Sequence, residues 1–154
     1  MNKRDGHNNK NKRIETKVDV MAYLDSLKYA LQAGQARITF QKERRVDKSR
    51  NQRYTNRYTM LTLFPDEDVV NVLKRELKNL TVEEYIETVK DKRFKNQSEM
   101  RVFGRRYAGE DVYIKIRVEL LNITSAGGGH TIFVMSFHFA EENFTEGDFP
   151  YGKT

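Results

Sequence analysis

The strongest constraint on the fold is a run of alternating side chains in the C-terminal half of the chain. Over residues 112–121, apolar side chains at Val112, Ile114, Ile116 and Val118 alternate with Tyr113, Lys115, Arg117 and Glu119. Because successive side chains of a strand point to opposite faces, the run predicts a strand with one buried and one polar face. Two further β-rich runs, at 100–107 and 131–140, flank it and are separated from it by glycine-containing segments. We therefore expect an antiparallel β-meander.

The last of these runs also alternates, and it places a histidine. Its two predicted faces consist of Phe133, Met135, Phe137 and Phe139 on one side and of Ile132, Val134, Ser136 and His138 on the other. If this strand pairs with the central one, Ser136 and His138 can lie beside Tyr113, Lys115 and Arg117. The pattern thus predicts one polar sheet face that carries a histidine, a tyrosine and several cations.

The N-terminal half is mainly helical in its periodicity. Apolar residues from Val18 onward recur at the spacing of a helix that ends at Ala33-Gly34, and a short strand at 36–41 follows. Residues 58–64 are compatible with either a strand or a helix, and a clear helical stripe runs from Glu67 to about Asn79. Residues 81–84 fit a capping box, which predicts a short helix to about residue 90. Helices followed by a meander predict an α+β fold, with N-terminal helices packed on a C-terminal antiparallel sheet.

The charge distribution points to a polyanionic partner. The net charge is +6, and residues 1–17 hold six cations against two anions, while residues 42–57 hold seven against two. We interpret residues 1–17 as a disordered basic arm and residues 42–57 as an exposed loop, either of which is also compatible with plain solvated surface. The end of the chain has the opposite sign, so residues 143–154 are predicted to be an acidic tail.

Several classes of protein are disfavoured. No apolar stretch reaches the roughly 20 residues that cross a bilayer, and the polar residues 1–17 lack the apolar core of a secretory signal, so we expect no membrane partner and a cytoplasmic protein. The chain has no cysteine, and its three histidines are scattered without ligand spacing. We therefore expect no disulfide, no metal site and no cofactor.

Five sequence segments, taken in order, resemble the MqsR family of type II toxin–antitoxin toxins, within the RelE-like group of small messenger-RNA-cleaving ribonucleases. They are Gln-Ala-Gly-Gln-Ala-Arg at 32–37, Leu-Thr-Val-Glu-Glu-Tyr at 80–85, Val-Phe-Gly at 102–104, Asp-Val-Tyr-Ile-Lys-Ile at 111–116 and Met-Ser-Phe-His at 135–138. The resemblance covers about residues 18–142. It implies a RelE-like arrangement of that domain, an endoribonuclease activity on mRNA that needs no metal, and a cognate antitoxin protein that holds the enzyme inactive.

The resemblance and the chemistry of RNA cleavage together suggest the site residues. We expect His138 to act as general acid or base, because its ordinary pKa lies near neutrality. Tyr113 would orient the phosphate or donate a proton, and Lys115 would bind the phosphate. Further RNA contacts are expected from a set of arginines, with Arg101 ranked first on its strand: Arg101, Arg105, Arg106, Arg117, Arg44, Arg45 and Arg50. The basic arm and the 42–57 segment would attract RNA or the ribosome.

A second hypothesis is a non-catalytic binding module. Better-known members of the family carry lysines where this chain has Glu87 and His138, and a glutamine where it has Met100. The absence of lysine at Glu87 and His138 favours an accessory protein of a mobile element that keeps the fold, binds nucleic acid or protein, and has lost the reaction. A weaker third reading is an inhibitor whose basic segments occupy the nucleic-acid channel of a larger enzyme.

Overall fold

The computed structural model describes residues 11–32, 36–90, 99–120 and 130–152. Within them the fold is α+β, with three helices and a six-stranded, mostly antiparallel sheet. The helices are α1 (Lys17–Gln32), α2 (Asn56–Leu63) and α3 (Val69–Lys78). The strands are β1 (Lys12–Arg13), β2 (Ala36–Phe40), β3 (Tyr85–Val89), β4 (Met100–Tyr107), β5 (Glu110–Leu120) and β6 (His130–Phe139).

The predicted meander forms the centre of the sheet. The strand order is β1-β3-β4-β5-β6-β2, and β4, β5 and β6 pair antiparallel in sequence order. The turn between β4 and β5 uses Ala108 and Gly109, both with positive φ, which glycine adopts without steric cost. Strand β2 joins the far edge and runs parallel to β6. The prediction of three adjacent C-terminal strands is thus confirmed.

The core lies between the helices and one face of the sheet, which we call the helix face. Ile114 and Ile116 of β5 are fully buried there, together with Leu73 and Leu77 of α3 and Leu27 of α1. This burial confirms the apolar side predicted for the central strand. Among the described residues, no helix is long and apolar enough to cross a membrane. The opposite side of the sheet carries the alternating polar side chains, and we call it the cleft face.

The helix predicted over 81–90 is wrong. The Thr81 backbone N–H does donate to a Glu84 carboxylate oxygen at 2.9 Å, as in a capping box, but the helical geometry lasts for a single 3-10 turn, Val82–Glu84. The chain then continues as β3, which pairs antiparallel with β4. Its residues, Tyr-Ile-Glu-Thr-Val, are mainly β-branched or aromatic and suit a strand. A local capping signal was therefore outweighed by pairing with the neighbouring strand.

The structure also bears on the segment 58–64 and on part of the predicted N-terminal arm. Of residues 58–64, which are compatible with either a strand or a helix, all but the C-cap residue Phe64 belong to helix α2, whose first turn is capped by the Thr55 side chain. Residues 1–10 of the predicted arm and the Ala33-Gly34 helix end lie outside the described residues. Residues 11–17 do not form a disordered arm, because Lys12–Arg13 pairs with β3 and Glu15 is only 6% exposed.

The alternation predicted for β6 is interrupted by a β-bulge. Lys115 lies opposite Ser136, yet the next residue, Ile116, lies opposite Val134, which leaves Met135 as the extra residue. Beyond the bulge the faces are exchanged. Val134 enters the core, fully buried, whereas Phe133 lies opposite Arg117 on the cleft face. The expectation that Phe133 shares a face with Phe137 and Phe139 is therefore wrong.

Candidate active site

A cleft of about 280 Å³ opens on the cleft face of β5 and β6. Its walls come from three parts of the chain: the two central strands, the basic segment 42–57, and the segment that follows β6. The lining side chains are Arg44, Arg50, Tyr113, Lys115, Ser136, His138, Ala140, Glu141, Glu142 and Phe144. The cleft thus contains all three residues predicted to be catalytic.

Strand register brings the three predicted catalytic residues together. Tyr113 lies directly opposite His138, and Lys115 opposite Ser136, so the four side chains share one face. The rings of Tyr113 and His138 stack with centroids 5.5 Å apart and an interplanar angle of 22°. The expectation that Ser136 and His138 join Tyr113 and Lys115 on one side is confirmed.

The environment of His138 selects its protonation state. The pKa of His138 is lowered from the ordinary 6.5 to about 4, mainly by burial; the positive charges of Arg50 and Arg44 also lower it, whereas a bond to the Phe139 carbonyl raises it. That bond joins His138 Nδ1 to the carbonyl oxygen over 2.9 Å. Because a carbonyl only accepts, Nδ1 carries the hydrogen and Nε2 keeps its lone pair. At neutral pH His138 is a neutral imidazole that can accept a proton at Nε2.

The cations of the cleft come mostly from the segment 42–57. It folds into two 3-10 turns, Arg45–Ser49 and Gln52–Tyr54, and not into the plain exposed loop that the sequence predicts. The Arg44 backbone N–H donates to an Asp47 carboxylate oxygen at 2.9 Å, and Arg50 Nη1 donates to the Tyr54 carbonyl at 3.5 Å. These bonds stabilise the turns that carry Arg44 and Arg50, whose side chains line the cleft together with Lys115.

Helix α2 holds the strand that carries His138. Beyond Val134, none of the described strands pairs with the outer side of β6, because β2 ends at Phe40. Asn56 takes the place of that strand: its amide donates to the Met135 carbonyl at 3.1 Å and to the Gln41 carbonyl at 2.8 Å, and its oxygen accepts from the Phe137 N–H at 3.0 Å. Thr59 accepts in the same way from the Phe139 N–H at 2.9 Å. Both side chains are fully buried.

Two of the predicted RNA-binding arginines lie on the helix face. Arg101 pairs with Ile116 in the register, and its guanidinium binds both carboxylate oxygens of the buried Glu15 at 2.9 Å. Arg105 contacts Glu84 at 3.3 Å and the Glu76 carbonyl at 3.2 Å. Both are held in ion pairs on the side of the sheet away from the cleft. Arg101, ranked first among these arginines, therefore lies on the face of the sheet away from the cleft.

Three other predicted arginines lie outside the cleft lining. Arg106 is on the cleft face but is paired with Asp111 at 3.2 Å, and Arg45 is exposed in its 3-10 turn. Arg117 lies over the Phe133 ring at 4.9 Å and contacts Glu119 at 3.1 Å. The cleft therefore collects Arg44 and Arg50 from the predicted set, together with Lys115.

Two residues at which the chain differs from the family that it resembles, Glu87 and Met100, can also be located in the structure. Glu87 lies opposite Val102 in the register, hence on the cleft face, and forms an ion pair with Lys12 at 3.7 Å. Met100 is 3% exposed. Neither lines the cleft, so the expected lysine and glutamine positions are occupied here by an ion-paired carboxylate and a buried apolar side chain.

Sequence reasoning missed the acidic part of the cleft and its support. Glu141 and Glu142 line the cleft, and Glu141 lies 3.6 Å from Arg50 Nε. The sequence does contain a signal: Phe144, Phe149 and Tyr151 are aromatic residues within the segment interpreted as an acidic tail. For Asn56 the sequence offers no such signal, because a polar residue at a helix start is ordinarily a surface residue.

The comparisons with known proteins do not assign the chain to a family. In the part of the chain that the structure describes, no group of three or more histidine, aspartate or glutamate side chains could hold a metal ion. The chain has no significant match to any protein-family profile, curated protein or solved structure.

Proposed function

We propose that the protein is an endoribonuclease that cleaves RNA with side chains alone, and that it is the toxin of a type II toxin–antitoxin system. The observation that carries the nuclease proposal is the shared cleft of His138, Tyr113 and Lys115 with Arg44 and Arg50. It combines a proton acceptor, a phenol and three cations, the groups that cleavage by a ribose 2′-hydroxyl requires. The RelE-like fold, the toxin role and the antitoxin partner rest on the sequence resemblance.

The protonation state of His138 decides its role in the proposed reaction. With a pKa of about 4, it is neutral at pH 7 and acts as the general base. His138 Nε2 takes the proton of the 2′-hydroxyl, the 2′-oxygen attacks the phosphorus, and the bond to the 5′-oxygen breaks. Tyr113 gives its phenolic proton to that leaving oxygen. Transfer of a proton from the imidazolium back to the phenolate restores both groups, so the products are a 2′,3′-cyclic phosphate and a 5′-hydroxyl.

The cations stabilise the charge that gathers on the phosphate. Lys115, Arg44 and Arg50 provide positive charge from two walls of the cleft, where partial burial strengthens their attraction for a phosphate. A bound phosphate would also offset the two arginine charges that lower the pKa of His138. Substrate binding thereby makes His138 a stronger base at the moment when it is needed.

The test is cleavage of a purified single-stranded RNA and growth after induction in cells. The wild-type chain should stop growth and yield fragments ending in cyclic phosphate, whereas His138→Ala and Tyr113→Phe should lose about 10²- to 10⁴-fold in cleavage rate. Tyr29→Phe, which makes the same change at an exposed tyrosine of α1, is the matched control and should keep the wild-type rate. Equal residual activity in wild type and His138→Ala would refute the proposal.

The binding-module hypothesis is favoured by one observation, the burial of His138, which is 7% exposed. A nucleic acid or protein could then occupy the cleft through its cations without reaction. Salt-sensitive RNA binding that is weakened by Arg50→Gln, with no cleavage by the wild-type chain, would select this function over the nuclease.

A further inference from the structure

The segment after β6 forms a closed acidic loop at the mouth of the cleft. The backbone N–H of Ala140 donates to the Asp111 carbonyl at 2.8 Å, and the N–H of Phe144 donates to the Asp111 carboxylate at 2.9 Å. Both ends of the loop 140–144 are therefore attached to one residue at the start of β5. Asp111 is 8% exposed and is itself paired with Arg106. These two hydrogen bonds thus fix the ends of the loop that carries Glu141 and Glu142.

The rest of the C-terminal segment keeps this loop in place. The Phe144 ring lies against Gly104, so close that a β-carbon at residue 104 would be 2.6 Å from Phe144 Cε2. Phe149 packs edge-on against Phe144, with ring centroids 5.6 Å apart. Tyr151 stacks on Tyr85 and donates a hydrogen bond to the Glu15 carbonyl. The segment 140–152 thus runs from the cleft toward the sheet edge formed by β3 and β1, and we call it the strap.

The strap brings negative charge to a site whose other charged groups are cations. Glu141 Oε1 lies 3.6 Å from Arg50 Nε, beyond hydrogen-bond distance, and its side chain is 38% exposed. The contact is therefore an attraction between charges that solvent partly screens. Such a contact is weak enough for a phosphate to replace, because a phosphate can form charge-assisted hydrogen bonds to the same guanidinium.

We propose that the loop 140–144 is a built-in competitor of the anionic ligand. In the ligand-free protein the Glu141 carboxylate contacts the Arg50 guanidinium. A phosphodiester of the incoming strand displaces this carboxylate and binds Arg50 in its place. The loop thereby lowers affinity for isolated anions and favours a strand that also engages Lys115 and Arg44. The identification of the strand as RNA rests on the proposed function. The displacement of Glu141 by a phosphate does not depend on that function.

The experiment compares Glu141→Gln with Glu146→Gln in the full chain. Both changes remove one negative charge from the strap, but Glu146 does not line the cleft, so the general effect of net charge cancels. The probe is a fluorescent 2′-O-methyl RNA, which lacks the attacking hydroxyl and cannot be cleaved. Glu141→Gln should bind about two- to fivefold more tightly than Glu146→Gln at low salt. Its affinity should also fall more steeply with salt, by about 0.7 in the logarithmic slope.

Two further measurements separate this proposal from the proposed function. If no variant binds or cleaves RNA, inorganic phosphate titrated into each protein and followed by the NMR signals of His138 still tests the loop. Tighter phosphate binding by Glu141→Gln than by Glu146→Gln supports the loop proposal even though the nuclease proposal has failed. Equal affinities of the two variants for both probes would overturn it.

If the protein does cleave RNA, Glu141→Gln should lower KM and leave kcat unchanged. A fall in kcat would show that Glu141 takes part in the reaction and would overturn its role as a competitor. Glu142→Gln extends the test to the second carboxylate of the loop.

Discussion

Tyr113 and His138 face each other across the β5–β6 ladder, with their rings stacked at a centroid distance of 5.5 Å. Directly opposite residues are the closest side-chain neighbours that a sheet provides. The pair therefore needs no loop to assemble it, because the register that places Val112 opposite Phe139 in the core also places Tyr113 opposite His138. Arg44 and Arg50, in contrast, come from a segment outside the sheet, which is held by separate hydrogen bonds.

Stability should fall when His138 is protonated. The folded-state pKa of about 4 lies below the unfolded value of about 6.5, so the unfolded chain binds the proton more readily. The resulting stability is fully present above pH 6.5 and is lost as the pH falls through 4. The 2.5-unit difference corresponds to about 3 kcal/mol. Urea unfolding at several pH values should show this loss, and NMR titration of His138 should give a midpoint near 4.

The control is His138→Gln, which cannot titrate in this range. Its unfolding free energy should change with pH less than that of the wild type, by about the same 3 kcal/mol between pH 7 and pH 4. Parallel pH profiles for the two proteins, or a His138 midpoint near 6.5, would contradict the burial described for this ring.

Arg50 and Arg101 should separate RNA binding from stability. Arg50→Gln removes a cleft cation and should weaken binding of the 2′-O-methyl RNA about 5- to 30-fold, with a salt slope smaller by about 0.7. Arg101→Gln should leave that affinity within about twofold, because its partner is Glu15 on the helix face. It should instead lower the unfolding free energy by about 2–4 kcal/mol, since Glu15 would remain buried without its guanidinium. A loss of RNA affinity in folded Arg101→Gln would contradict the face assignment.

The contrast between these two arginines shows what the sequence could predict. Alternation along the central strand correctly placed Tyr113 and Lys115 on one face and the core residues on the other, because a period of two is a local property. The sequence could not assign a face to Arg101, because that face depends on the register of β4 against β5, which pairs Arg101 with Ile116. No pattern within one strand contains that information.

The bulge at Met135 illustrates the same limit within a single strand. Residues 133 and 137 have the same parity and would share a face in a regular strand. One extra residue exchanges the faces, and the hydrogen bonds that hold it come from Asn56, 79 residues away from Met135 in the chain. Similarly, β3 was predicted as a helix because a capping box is a local signal, while its pairing with β4 is not.

Asn56 should be important for stability, although nothing in the sequence marks it. Asn56→Ala leaves the Phe137 N–H and the Met135 carbonyl buried without partners, which should cost about 2–4 kcal/mol of unfolding free energy. Asn71→Ala in α3 is the matched control: Asn71 is exposed, and its loss should change stability by no more than about 0.5 kcal/mol. Urea denaturation at pH 7 measures both, and faster amide exchange at Phe137 should accompany the change at Asn56. Equal stabilities would show that β6 does not depend on α2 for its outer hydrogen bonds.

Gly104 and Phe144 should be strongly coupled in a double-mutant cycle. The φ angle of Gly104 is not positive, so an alanine can adopt the same backbone conformation without strain. Its added β-carbon, however, would lie 2.6 Å from the Phe144 ring. Gly104→Ala alone should therefore displace the ring and lower stability by about 1–3 kcal/mol. In a Phe144→Ala background the ring is gone, and the same substitution should be close to neutral, which gives a coupling energy of about 1–2 kcal/mol.

Gly109→Ala, whose added β-carbon has no heavy atom within 4 Å, serves as the comparison: any cost it has comes from its positive φ and should not depend on Phe144. Additive effects of Gly104→Ala and Phe144→Ala would mean that the strap does not lie against β4 in solution, and the acidic loop would then lose its support at the cleft.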